Sequence, residues 1–101
     1  MKITQLDLRY TANKRWGYRY SVTFPSRHWK KYFAFKSRAQ DMFGPSVDIG
    51  RRFLWRDDVA TLKTGQWAYK YVKSSEDSNV YFRTEDAMNQ AIMMFALTYA
   101  E

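Results

Sequence analysis

A chain of 101 residues fits one domain with one shared core, burying roughly 65% of the surface that its unfolded form exposes. It holds no cysteine and a single histidine, His28, which excludes a disulfide, a thiolate nucleophile, a Cys/His pair and a multi-histidine metal site. The net charge of +7 lies entirely in residues 1–50, where ten Lys/Arg face only Asp7, Asp41 and Asp48, and residues 8–40 carry nine cations and no acid.

In chain order, "KITQLDLRY" alternates Leu6, Leu8 and Tyr10 against Asp7 and Arg9, which predicts a strand. "TANKR" follows as a turn through Asn13. "GYRYSVTF" predicts a second strand, with Tyr18, Tyr20, Val22 and Phe24 on one side and Arg19, Ser21 and Thr23 on the other, stopped by Pro25-Ser26. "WKKYFAFK" predicts a third, with Phe33 and Phe35 inward and Lys30, Tyr32, Ala34 and Lys36 outward. Ser37 then caps a short helix carrying Ala39, Met42 and Phe43 on one face, and Gly44-Pro45 ends it.

Residues 46–64 read two ways. "RRFLWR" has strand character, while "DDVATLKTG" is either a capped helical turn closed by Gly65 or the first arm of a hairpin leading into Trp67. The final segment is clearer. Thr84 is a natural N-cap, Glu85 and Asp86 suit the positive end of a helix, and Ala87, Ala91, Met94, Phe95 and Thr98 form one stripe flanked by Met88, Ile92 and Tyr99.

"WAYKY" (67–71) matches "WGYRY" (16–20) position for position, and "FRT" (82–84) matches "FKS" (35–37) in residue type. This predicts two ββα pseudo-repeats, about 1–45 and 46–101, with the loop "SSEDSN" the shorter of the two hairpin connections. The expected fold is α+β: an antiparallel sheet with helices packed on one face and a long C-terminal helix, forming a single domain over residues 1–101. The core expected from strand and helix parity is Tyr18, Tyr20, Phe33, Phe35, Tyr69, Val80, Phe82, Ala91 and Phe95. Over residues 1–44 the order of three strands and a helix resembles the arm-type DNA-binding domains of tyrosine recombinases and the plant AP2 type, which lay a sheet in the major groove. The resemblance is one of element order, without a signature motif of either family.

Enzyme chemistry finds little to work with. Asp57-Asp58 and Glu85-Asp86 are each adjacent in sequence, so neither pair projects both carboxylates from one face, and they suit helix starts or turns instead. No nucleophile-elbow motif accompanies His28, and four glycines form no phosphate loop. Neither a catalytic residue nor a cofactor is expected. The longest apolar run, Ala91 to Leu97, falls far short of the ~20 residues of a membrane span. With no apolar h-region in "MKITQLDLRY", a soluble, cytoplasmic protein without membrane contact is expected.

What remains is the basic-aromatic surface. Strand parity places Arg19, Tyr32, Lys36, Lys70, Tyr81 and Arg83 on one outer sheet face, with Lys30 and Lys31 beside them. Tyrosines among cations suit phosphate contacts combined with base stacking, so the first expectation is a non-enzymatic nucleic-acid-binding domain for DNA or RNA. Trp, Tyr and Arg are also the anchors of protein interfaces. The second expectation is therefore an inhibitor or adaptor, such as a virus-encoded accessory protein, docking on an acidic protein surface, and self-association is compatible with either.

Overall fold

The computed structural model describes residues 2–6, 16–50, 53–71 and 77–99. Its strands are β1 (Lys2–Gln5), β2 (Tyr20–Phe24), β3 (Trp67–Lys70) and β4 (Ser78–Phe82), and its α-helices are α1 (Trp29–Phe43), α2 (Arg56–Thr64) and α3 (Glu85–Tyr99). The strands form one sheet in the order β1-β2-β4-β3 with every neighbouring pair antiparallel. The class is α+β, with the long C-terminal helix that the sequence predicts.

Register sorts the side chains between two faces. Tyr20, Phe82 and Trp67 lie in one rung and Val22, Val80 and Tyr69 in the next, all toward α1 and α3. Between those layers sit Phe24, Phe35, Ala39, Ala87, Met88, Ala91 and Phe95, buried in one continuous cluster. The intervening rung, Ser21, Tyr81 and Ala68, points the other way. There α2 covers it: Leu62 and Ala68 are buried with Trp16 and Tyr18, and Val47, Ile49, Leu54, Val59 and Tyr81 pack around them. A second small core thus occupies the sheet face expected to be open, so the helices are not confined to one side.

Each helix carries its own start or stop signal. The Thr84 hydroxyl accepts from the Ala87 N–H at 3.2 Å, as expected of the cap of α3. The Asp58 carboxylate accepts from the Trp55 N–H at 3.1 Å, and Gly65 closes α2 through an N–H bond to the Thr61 carbonyl at 2.8 Å. This decides the ambiguous "DDVATLKTG" in favour of helix. Gly44, at φ 90°, ends α1 in a backbone conformation that side chains with a Cβ rarely adopt.

The third expected strand is the main correction. "WKKYFAFK" is the first half of α1, a helix of 15 residues. In it the inward positions follow the 3.6-residue period through Tyr32, Phe35 and Ala39, so Tyr32 is fully buried while Phe33 is 38% exposed, the reverse of the strand expectation. The three-strand-plus-helix order behind the resemblance to sheet-in-groove DNA binders is therefore not present. Of the remaining expected core, Tyr18, Phe35, Val80, Phe82, Ala91 and Phe95 are buried, and Tyr20 and Tyr69 are half-buried against it.

The pseudo-repeat is not confirmed. Trp16–Arg19 precedes β2 and only Tyr20 belongs to it, whereas the match Trp67–Tyr71 forms β3 and the residue after it, and "FKS" lies inside α1 where "FRT" joins β4 to α3. Matched peptides thus occupy unequal places. Phe53, Leu54 and Trp55 are not strand. The expected strand continuation through Leu8 and Tyr10, the turn "TANKR", Arg51-Arg52 and most of the loop after Tyr71 lie outside the described residues.

Candidate nucleic-acid interface

The expected site residues are divided by the fold. Arg19 is exposed just before β2, where its N–H donates to the Phe82 carbonyl at 3.0 Å. Lys70 is exposed at the end of β3, opposite Asn79. Tyr81 is half-buried beneath α2. Lys30 and Lys31 are exposed on the first turn of α1, with Lys36 half-buried further along the helix.

Two of the eight cannot serve as expected. Tyr32 is 0% exposed and belongs to the main core, where no incoming base could reach it. Arg83 is committed to the protein's own backbone. Its Nε donates to the Gly65 carbonyl at 2.9 Å, Nη1 to Trp16 at 2.6 Å and Nη2 to Leu62 at 2.7 Å, and the guanidinium lies 4.5 Å from the centre of the Tyr18 ring. The Tyr18 hydroxyl donates to the same Leu62 carbonyl at 2.8 Å. Arg83 thus satisfies carbonyls at the C-terminal end of α2 and ties the second core to β4. Gly17, at φ 82°, makes room for it: a Cβ there would stand 2.7 Å from Nη1.

The surface that does assemble lies around α1. Trp29 is 51% exposed, and Phe33 follows one turn later with ring centres 6.2 Å apart in an edge-to-face arrangement. Phe33 leans on Tyr71 at 5.0 Å, and Tyr71 stacks on buried Tyr32 at 5.7 Å. Cations flank these rings. Lys30 Nζ is 5.5 Å from the Trp29 ring centre, and Lys36 Nζ is 5.7 Å from that of Phe33 and 3.9 Å from that of Tyr69. Trp29 and Phe33 were missed because the strand parity pointed Phe33 inward. A helical period drawn through Tyr32, Phe35 and Ala39 would have put both on the flank.

The electrostatics of this end of α1 are one-sided. The helix has no acid in its first turn and no side-chain cap, while Arg27, Lys30 and Lys31 gather at its positive end. Among the described residues no carboxylate pairs with any of the three. His28 responds to this potential: partial burial first, then the Lys31 and Arg27 charges, hold its imidazole below the ordinary histidine range. On the other side of the ledge, Asp48 accepts from the Gly50 N–H at 2.7 Å and the Tyr71 N–H at 3.3 Å, fixing the segment that borders β3.

Three tyrosines titrate late. Burial and then the Asp48 carboxylate push the Tyr32 and Tyr81 phenols up, and burial does the same for Tyr18, offset in part by Arg83. A phenol that holds its proton more tightly when folded contributes stability that is complete below pH ~10 and is lost as pH rises further. The loss is about 1.4 kcal/mol per pH unit per tyrosine until its folded-state value is reached. Cooperative alkaline unfolding is therefore expected to begin just above pH ~10, with tyrosinate absorbance rising in step with loss of helical circular dichroism. A gradual tyrosinate titration with the dichroism intact would contradict it.

Among the described residues no group of three or more His, Cys, Asp or Glu is placed to hold a metal ion, and no helix is long and apolar enough to cross a membrane. No protein-family model, curated protein or solved structure matches the chain.

Proposed function

We propose that the protein binds nucleic acid, and that it does so through the α1 ledge and not through the outer face of the sheet. The observation that carries this is the concentration of Arg27, Lys30 and Lys31 at the positive end of α1 without an acid to offset them. Like charges placed against a helix dipole destabilise the fold by a few tenths of a kcal/mol each. An external polyanion reverses that sign, because each ammonium or guanidinium that meets a phosphate releases a condensed counterion. Half-buried Lys36 and the aromatic rings extend the same surface toward β3. Arg19, just before β2, and Lys70, at the end of β3, lie off α1 and serve as outlying phosphate contacts.

Four contacts, from Arg27, Lys30, Lys31 and Lys36, give an expected slope of log K against log salt of about −3 to −4. Changing Lys30 and Lys31 together to Glu should weaken binding by about tenfold or more and flatten the slope by about 2, while thermal stability stays within ~0.5 kcal/mol of the parent. Retention on a DNA or RNA column as salt is raised, followed by titration, makes the measurement. Absence of salt-sensitive retention at ~100 mM salt would refute the reading.

A second reading has its own support. Phe53 and Trp55 are 68% and 69% exposed, pack edge-to-face at 5.3 Å and sit beside exposed Arg56 at the start of α2, the residue types of a protein-interface anchor. On that reading the partner is an acidic protein surface. The Lys30/Lys31 change then leaves nucleic-acid affinity weak before and after, and Trp55→Ala abolishes capture of a protein from nuclease-treated lysate.

A further inference from the structure

The geometry points to single-stranded nucleic acid, not duplex, as the ligand of the α1 ledge, with Trp29 as the base-stacking platform. This rests on the nucleic-acid reading above and deepens it. Phosphate contacts alone would make a duplex as good a ligand as a single strand, so the choice is made by the rings.

Trp29 and Phe33 are large apolar side chains left 51% and 38% exposed within a cationic surface. They are not loosely held. Phe33 rests on Tyr71, and Tyr71 stacks on Tyr32, which has no exposure and packs into the main core against Phe24 at 6.0 Å. The ledge is the outer end of a row of rings anchored inside the fold, so little side-chain freedom remains to be lost when a flat ligand lies on it. Beside each exposed ring stands an ammonium, Lys30 at 5.5 Å from the Trp29 centre and Lys36 at 5.7 Å from the Phe33 centre. A nucleotide carries a flat ring and a phosphate on one short linker. The ledge presents the complementary pair, a flat ring and a cation, twice along one helix flank.

In a duplex the base planes are already covered by their neighbours, and exposing one costs a few kcal/mol of unstacking and unpairing. A duplex on this surface would set Trp29 and Phe33 against charged backbone and gain nothing from them. A single strand offers its base planes freely, and stacking of this kind tolerates any base because every base has a π-face. The lysine now over Trp29 moves to the phosphate beside the stacked base. The contacts use ring planes and phosphates, which DNA and RNA share.

The test compares an oligodeoxythymidylate of about 12 nucleotides with a duplex of equal length, by fluorescence anisotropy at ~100 mM salt. The expected result is single-strand binding tighter by about tenfold or more. Trp29→Ala should lose about tenfold on the single strand, leave the salt slope unchanged because no cation is removed, and hardly alter duplex affinity. Trp29→Phe, which keeps a stacking plane, should restore most of the loss, and circular dichroism of each variant should match the parent. Equal affinity for duplex and single strand, with Trp29→Ala weakening neither, would overturn this inference while leaving the cationic interface in place. Salt-sensitive association with neither ligand would overturn both.

Discussion

Phe35→Ala is expected to cost about 3–5 kcal/mol, a large fraction of the ~5–15 kcal/mol that commonly holds a folded domain together. Phe35 is completely buried, and its ring is held by rings from three other elements: Phe24 of β2 at 5.4 Å, Phe82 of β4 at 6.0 Å and Phe95 of α3 at 5.4 Å. Truncation removes the transfer free energy of the ring and leaves a cavity whose walls belong to the sheet and both large helices. Walls of that kind relax poorly, because closing the gap means moving a helix or a central strand. Urea unfolding followed by circular dichroism gives the value. A change below ~1 kcal/mol would mean that Phe35 is not where α1, α3 and the sheet meet.

Arg83→Ala should cost about 3 kcal/mol, by a different route. The guanidinium serves carbonyls of Trp16, Leu62 and Gly65 at once, and its planar fork reaches three acceptors in directions that one ammonium cannot match. Arg83→Lys should therefore recover less than half of the loss, although it preserves the charge. For a solvated surface cation the same exchange would change stability by no more than ~0.5 kcal/mol. The damage should be local. Amide exchange should accelerate in α2 and around Trp16 and Tyr18, while Val22, Val80 and the α3 stripe retain protection. Uniform loss of protection would show that the second core is not separable from the first.

How much of this was legible follows from the length of each pattern. In α3, cap, acidic first turn and stripe all agree over 15 residues, and the helix appears with the predicted cap. In "WKKYFAFK" two periods compete: alternation joins Phe33 to Phe35, and the helical repeat joins Tyr32 to Phe35. Eight residues do not separate them. The run without Gly or Pro as far as Phe43 does, since it lets Ala39 continue the helical stripe. Tyr32 and Phe33 exchanged places for that reason alone, and the candidate site moved with them from the sheet to the helix flank. Arg83 illustrates a different limit. Its charge is visible in the sequence, but the demand of three backbone carbonyls for a donor arises only when α2 ends beside β4. The covered outer face has the same origin, because Leu62 and Ala68 look unremarkable until register sets Ala68 beside Tyr81.

The central pairing of the sheet joins residues from distant parts of the chain, Tyr20 with Phe82 and Phe24 with Ser78. A ribosome delivers β2 long before β4 exists. Through that interval Val22 and Phe24 have no strand on one side and no α3 above them, so the sheet cannot be completed in the order in which it is made. Closing so long a loop must precede the contacts that reward it, which slows folding and prolongs the exposure of Val22 and Phe24. The lysines and arginines that crowd residues 8–40 also keep that unfinished half-chain strongly charged, and mutual repulsion between nascent chains is a second use for a cationic block beyond any ligand it meets once folded.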